Sequence, residues 1–574
     1  MDYQPRAEEI LGLLRHAAGR DEALAALPVF SDADPALMQQ VLEEVGKFVG
    51  ERIAPLTRVG DETGAQFSGG HVMMPPGFRE AYQAFWQGGW PALSASPEHG
   101  GQGLPAVFEC VLYEWLSAAN HGWTMAPGLL HGAYECLRHH ASADLKARYL
   151  EKLATGEWLA TMCLTEPHAG SDLGLVRTRA VPQADGSYRL SGTKIFISGG
   201  EHDRSDNIVH LVLARMPDAP PGPKGLSLFV TAKFLPDGSR STVHCERIEE
   251  KMGLHGSPTC VMRFDEAAAW MVGEPGRGLA AMFVMMNSAR LHVALQGIGL
   301  LDAAWQKADA YARERRQMRA PGAAAPASRG REAADLIAEH PAVRRILDSQ
   351  RAWVDGARVL AYRTGLELDL ARHHPDAARR AAAERWCGFI TPVLKAACTD
   401  QAFHGASECL QVFGGHGYVR EWGIEQVVRD SRVAMIYEGT NEIQGIDLLV
   451  RKVLPDGGAA FREFLADLKP ESALLAKRLD ALSRVTSLLA AAAQTNPELP
   501  YWIAADFLRA AALGLLAWGW ERIAGAPGLA GERWTAPAQA LNAWVLPEFE
   551  MRLGIIEAEV ARAGSDLRRP PEHH

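Results

Sequence analysis

Ile436-Tyr437-Glu438-Gly439-Thr440-Asn441-Glu442-Ile443-Gln444 sets one carboxylate, Glu438, directly before a glycine. Glycine lets the backbone approach a ligand closely and adopt angles that other residues avoid. A carboxylate held there against apolar walls would have its charged form disfavoured, which raises its pKa toward that of a working base. The competing reading is a helix end with a glycine cap and a solvated acid. Three stretches upstream bear on the choice.

Met162-Cys163-Leu164-Thr165-Glu166-Pro167-His168-Ala169-Gly170-Ser171-Asp172 gathers small residues and hydroxyls. Such a loop can present N–H and O–H donors to an electron-rich heteroaromatic ring or a phosphate, or it can be an ordinary turn with an Asx or Ser motif. In Lys194-Ile195-Phe196-Ile197-Ser198-Gly199-Gly200 an aromatic stands two residues from a hydroxyl. On a strand Phe196 and Ser198 share a face, which suits stacking on a flat ring plus one hydrogen bond; the alternative is a core Phe at a strand end. Gln411-Val412-Phe413-Gly414-Gly415-His416-Gly417-Tyr418 is a glycine-rich loop after a helix. It lacks the GxGxxG spacing and follows no strand, which disfavours a dinucleotide fold of the Rossmann type.

The 574 residues are too many for one core. Hydrophobic residues make up 47% and charged residues 22%, as in ordinary globular proteins. A formal charge of −10 argues against attraction to nucleic acid or anionic membrane. No apolar run is expected to span a bilayer, and the first residues lack a basic-then-apolar signal pattern. The eight cysteines are scattered without CxxC, and the histidines lack HExxH spacing. That composition points to free thiols in a reducing, cytoplasmic compartment and to no metal.

The helical period runs through ALMQQVLEEVGKFVGERIAPL and VFECVLYEWLSAAN. Near residue 160 it yields to short β-rich runs, SYRLSGTKIFISGG, NIVHLVLARM, GLSLFVTAKF and TCVMRFDEAAAW, punctuated by Gly, Pro, Asp and Asn. Helical spacing returns from Gly278, broken by an Ala/Pro/Gly-rich piece at 320–330 that reads as an exposed loop. Beyond Pro455-Asp456-Gly457-Gly458 a further Ala/Leu-rich helical segment follows. The expected class is a multidomain α+β protein: an N-terminal helical domain (1–158), an antiparallel β domain (159–275), a C-terminal four-helix bundle (276–454) and an appended helical domain (455–574).

TEPxAGSD, the aromatic-x-hydroxyl-x-Gly strand, QxFGGxGY and RDxRxxxIYEGTNEIQ, in this order, resemble the acyl-CoA dehydrogenase family. PEHGGQGLP and EKMGLHGSPTC look like further segments of it. The resemblance covers residues 40–452. The long N-terminal lead, the 320–330 insertion and the C-terminal extension resemble the longer bacterial branch that includes the 3-methylthiopropanoyl-CoA dehydrogenases.

The resemblance implies FAD, an acyl-CoA substrate, and electron-transfer flavoprotein as electron acceptor. It makes Glu438 the base that removes the thioester α-proton while hydride leaves the β-carbon. Some family members carry that base on the first helix after the β domain. Here Arg277 to Leu301 holds no Asp or Glu, and Ala289 occupies the alternative position. By motif match Met162, Leu164, Thr165 and Ser171 face the flavin ring, with Phe196 and Ser198 where many members have Trp and Thr. Arg315, Gln411 and Gly415 match residues that reach the neighbouring subunit's FAD, and Thr440 and Glu442 fall at the adenosine end. A cofactor shared this way implies an obligate homo-oligomer, a dimer first. Ser171 and Gly439 lie nearest the thioester. Cys260 stands where medium-chain members have Arg, so that arginine's contacts are not carried over. The resemblance leaves two other readings: an oxygen-using oxidase on the same fold, and a DNA-binding alkylation-response relative. The latter needs a basic face, whereas the extension holds 12 Lys/Arg against 15 Asp/Glu.

Overall fold

The computed structural model describes residues 2–321 and 334–564. The expected loop at 320–330 lies, from 322 onward, outside the described residues, and so does the tail His573-His574. The chain forms two compact units: Asp2–Pro5 with Gln40–His292, and Arg6–Gln39 with Val293–His574.

In the first unit every residue of helix Ala106–Thr124 is buried. Apolar residues dominate the segment, and Glu109, Glu114, Asn120 and His121 are buried along with them. Helix Ala143–Ala154 starts where the Ser142 side chain accepts from Leu145 N, satisfying one orphan donor of the first turn. Among these helices lies a hairpin that helical periodicity does not foresee, β1 (Gln66–Ser68) with β2 (His71–Met73). Its turn is Gly69-Gly70, both at positive φ, as a two-residue hairpin turn of this twist requires.

The sheet comprises β3 (Leu159–Cys163), β4 (Arg179–Pro182), β5 (Tyr188–Ser198), β6 (Ile208–Arg215), β7 (Leu226–Ala232), β8 (Val243–Ile248) and β9 (Thr259–Val272). Antiparallel pairs join β4–β5, β5–β9, β9–β7, β7–β6 and β8–β9. A single parallel bridge, Arg179 to Arg215, closes the ring from β4 to β6. β3 runs parallel beside β6, so the expected antiparallel domain carries one parallel edge. Cys163, Ile197, Val212, Phe229 and Met262 are among the side chains filling its core.

The second unit is built on helices Pro341–His373 and Ala377–Val412, with the Val293–Ala312 part of helix Gly278–Ala312. The segment beyond 455 adds helices Ala459–Asp467, Ala473–Ala492, Leu499–Ala524, Glu532–Ala540 and Pro547–Gly564 to this same unit. Leu499–Ala524 meets Pro341–His373 where two glycines face each other. A Cβ on Gly519 would stand 3.0 Å from the Gly356 carbonyl oxygen. Trp520 Nε1 donates to Ala352 O at 2.7 Å beside that crossing, and Trp518 Nε1 to Leu468 O at 2.9 Å.

A buried charge network ties the lead to the bundle. Asp302 accepts from Arg351 at 2.9 Å and from Arg358 at 2.7 Å, while Arg533 grips Asp355 at 2.8 Å and Glu9 at 2.9 Å.

Among the described residues two helices, Gly278–Ala312 and Leu499–Ala524, are long and apolar enough to cross a membrane, contrary to the expectation from the sequence. Their most apolar windows are 61% and 72% buried inside the protein, as in core helices.

Candidate active site

In the first unit, β3 delivers Met162 and then Leu164 and Thr165 to a tight turn, in which Glu166 and Ala169 exchange two backbone hydrogen bonds of 3.0 Å. Thr165 O accepts from Ile195 N at 2.9 Å, which brings this loop beside β5, next to Phe196. Past the turn, Ser171 is exposed and a Cβ on Gly170 would meet nothing within 4 Å. The Asx turn allowed for above is also present: Asp172 Oδ1 accepts from Gly174 N at 2.8 Å.

The loop is held from behind by a buried ion pair. Lys194 Nζ donates to Leu164 O and to Glu166 Oε1, both at 2.9 Å. Glu166 also accepts from Arg177 N at 2.8 Å, Thr178 N at 3.0 Å and Thr178 Oγ1 at 2.6 Å. Burial alone would raise the Glu166 pKa, but the Lys194 ammonium and these donors hold it below the ordinary carboxylate value. Burial draws Lys194 down, against the pull of Glu166.

β5 is not a regular strand at Phe196. Between the pairs Lys194–Met262 and Ile197–Cys260 it carries one extra residue, a β-bulge. Phe196 sits there at φ 59° with 60% of its surface exposed. A left-handed conformation costs a non-glycine residue on the order of 1 kcal/mol, and such strain collects at binding sites. Ser198 follows on β5, paired with Thr259. An exposed ring, the Thr165 and Ser198 hydroxyls, and open space at Gly170 fit a flat heteroaromatic ligand such as the flavin ring.

In the second unit Glu438 has φ 56° and Gly439 φ 84°. Two successive residues at positive φ turn the chain sharply between Arg432–Met435 and helix Asn441–Ile446, whose N-cap is Thr440. Space beside Gly439 is taken: a Cβ there would stand 2.8 Å from Gln444 Nε2. Gln444, fully buried, donates to Glu438 O at 3.0 Å and Gly439 O at 3.3 Å. Lys395, also fully buried, donates to Gly439 O at 2.8 Å and Asn441 Oδ1 at 3.0 Å. Tyr437 Oη donates to Gln296 Oε1, and burial, then the Glu438 charge, pushes the phenol well above its ordinary pKa.

Arg315, Gln411 and Gly415 gather elsewhere in this unit. Tyr311 stacks on Phe413 at 4.3 Å and shares a 2.8 Å hydrogen bond with His416 Nδ1, which stacks on Trp422 at 4.8 Å. This aromatic knot roots the Gly414–Tyr418 turn beside the chain that continues into Arg315. Arg315, Gln411 and Gly415 are exposed, and a Cβ on Gly414 or Gly415 would meet nothing within 4 Å. Thr440 and the exposed Glu442 are not brought to this group. They lie by Lys395, sixteen residues before Gln411 on the same helix, a separation of about 24 Å.

Of the residues behind both loops, Lys194, Asn441 and Gln444 stand in the quoted motifs without a role assigned, and Thr178, Lys395 and Gln296 escaped the sequence reading. Lys395 left a trace, a lone ammonium inside the run Phe389-Ile390-Thr391-Pro392-Val393-Leu394-Lys395-Ala396-Ala397-Cys398.

Three family models match the chain: the N-terminal domain of acyl-CoA dehydrogenase over residues 37–157, the middle domain over 161–267 and the C-terminal domain over 323–453. The chain is 43% identical over 540 residues to 3-methylmercaptopropionyl-CoA dehydrogenase of Ruegeria pomeroyi, covering 91% of this chain and 90% of that one. It is 34% identical over 519 residues to a broad-specificity linear acyl-CoA dehydrogenase of Mycobacterium tuberculosis, covering 85% and 83%. In fold it is similar to Caenorhabditis elegans ACDH-11 in complex with C11-CoA, with a TM-score of 0.76 at 19% identity over 99% of this chain and 97% of that one. It is also similar to a Bacillus anthracis acyl-CoA dehydrogenase complexed with FAD, with a TM-score of 0.71 at 21% identity over 94% and 90%. With the order of helices, sheet and helices and the Glu438-Gly439 turn, these matches place the chain in the acyl-CoA dehydrogenase family.

Proposed function

We propose that this chain catalyses FAD-dependent α,β-dehydrogenation of an acyl-CoA thioester to the trans-2-enoyl-CoA, with Glu438 as the base and electrons passing on to electron-transfer flavoprotein. The observation that carries the residue assignment is the strained Glu438-Gly439 turn, held from below by Gln444 and Lys395. The Glu438 carboxylate accepts the α-proton. Negative charge then grows on the thioester oxygen, and the Glu438 backbone N–H supplies a prearranged donor to it. Bound FAD supplies the acceptor for the hydride that leaves the β-carbon.

Phe196 offers its ring as a stacking wall, and Thr165, Ser198 and the Met162–Leu164 backbone line the flavin edge. Ser171 in the first unit and Gly439 in the second are each assigned to the substrate by motif match. Arg315, Gln411 and Gly415 serve the cofactor of the neighbouring subunit, while Thr440 and Glu442 serve this one. The in-chain separation of about 24 Å supports that division, because one cofactor end cannot use both groups. Met318, Tyr418 and Val419, which are 77%, 88% and 47% exposed, give the same region an apolar rim suited to a homodimer contact. Eight free thiols suit a cytoplasmic setting. Changes from helix to sheet and back favour a division at 158/159 and 275/276, and the Pro455-Asp456-Gly457-Gly458 turn favours one at 454/455 within the second unit.

Similarity to the Ruegeria pomeroyi enzyme makes 3-methylthiopropanoyl-CoA the first substrate to test. Anaerobic mixing of the flavoprotein with short, medium, long, branched and methylthio acyl-CoAs is expected to bleach the flavin. Glu438→Gln is expected to keep the yellow cofactor and lose bleaching; near wild-type bleaching by that variant would overturn the base assignment.

A further inference from the structure

We propose that Lys395 is the positioning residue of the base: its ammonium, clamped on the Gly439 carbonyl and the Asn441 side chain, holds Glu438 where its carboxylate meets the thioester α-proton. The inference rests on Glu438 being the base. Lys395 is fully buried on helix Ala377–Val412, among buried Val393, Leu394, Ala396 and Ala397. Taking an ammonium out of water is costly, and an apolar side chain of similar length would pack there without that cost. Its acceptors are specific. One is the main-chain carbonyl directly after Glu438, at 2.8 Å, and the other, at 3.0 Å, is Asn441 Oδ1.

Asn441 is itself pinned to the same helix, donating through Nδ2 to Ala396 O and Thr399 Oγ1, each at 3.2 Å. Gln444 also holds the turn, but from helix Asn441–Ile446, the element into which the turn itself leads. Lys395 joins the Gly439 carbonyl itself to a 36-residue helix through a charge-assisted bond. A strained φ of 56° at Glu438 relaxes unless its neighbours over-determine it. Release of the clamp therefore misplaces the carboxylate while leaving its chemistry, and the substrate's contacts away from this turn, in place.

The test compares Lys395→Met, Lys395→Arg and Glu438→Gln as FAD-loaded proteins, mixed anaerobically with 3-methylthiopropanoyl-CoA across a concentration series. For Lys395→Met the limiting bleaching rate is expected to fall about 100-fold, as for a misplacement near 1 Å, with half-saturation within about threefold of wild type. Lys395→Arg, which restores a cation and its donors, is expected to recover at least about tenfold of that rate. Bleaching by Glu438→Gln at the wild-type rate would bring down the base assignment, and this inference with it. Loss of bleaching in Glu438→Gln beside a wild-type rate in Lys395→Met would overturn this inference alone. A parallel loss of rate and half-saturation, or no rescue by Arg, would also overturn it. Should Lys395→Met fail to fold, Asn441→Ala removes one acceptor of the clamp. A fall of about tenfold in limiting rate at unchanged half-saturation is then expected, and an unchanged rate overturns the proposal.

Discussion

Glu166 and Lys194 meet at 2.9 Å with 3% and 0% of their side chains exposed, and the same ammonium carries the Leu164 carbonyl. The Met162–Asp172 loop thus rests on a charge pair in the interior of its unit. Removing one member leaves the other buried and unpaired, at a cost of about 3–5 kcal/mol. Glu166→Leu and Lys194→Leu are each expected to lower the urea midpoint sharply and to release FAD on dilution. The double variant is expected to regain part of the stability, since no lone charge remains. Additive losses in this double-mutant cycle would show that the two residues do not act as a pair.

Glu9 gives the fold an acid-sensitive joint. Burial alone would raise its pKa, but Arg351, Arg533 and Arg6 pull it from 4.5 to about 2. A carboxylate depressed in the folded state adds stability that is fully present above its unfolded pKa. That stability is lost as pH falls through the folded value, here between about 4.5 and about 2. The contribution is on the order of 3 kcal/mol at neutral pH. Glu9→Gln is expected to unfold at lower urea than wild type at pH 7, with the gap narrowing below pH ~4.5. A gap that stays constant down to pH ~3 would contradict the assignment.

Phe196 is exposed at φ 59° and supports little of the sheet core. Phe196→Ala is expected to weaken FAD binding about tenfold through lost ring stacking, while apoprotein stability changes by no more than about 0.5 kcal/mol. Equilibrium dialysis of FAD and thermal melts of the apoprotein separate the two effects. A large fall in apoprotein stability would make Phe196 a structural residue.

Tyr418 is 88% exposed at the rim of the turn that carries Gly415. Tyr418→Asp puts a charge into the proposed subunit contact. Light scattering is expected to report monomer, and FAD absorbance is expected to fall in step. A monomer that retains FAD would show that the cofactor site is complete within one chain.

The order of helices, sheet and helices was legible because apolar spacing is a local property, repeating every two or three to four residues. Hairpin Gln66–Met73 was not, since its strands are three residues long and show no period. The shared face of Phe196 and Ser198 was read from ideal alternation, whereas the bulge beside Lys194 sets how Phe196 is presented. Helices Gly278–Ala312 and Leu499–Ala524 reach membrane length, yet most of each apolar window is buried inside the protein. Composition alone cannot tell such a helix from a span.

By itself the sequence determined the family, the carboxylate in its Glu-Gly setting, and the absence of any acid between Arg277 and Leu301 that could replace it. Tertiary structure alone decided what lies beneath that carboxylate. Lys395 and Gly439 are 44 residues apart and meet at 2.8 Å, and Lys194 reaches Leu164 across 30 residues at 2.9 Å. A motif records residues that follow one another along the chain. Which buried donor satisfies a strained turn depends on helices and strands folding back against it, and that pairing leaves no local period to read.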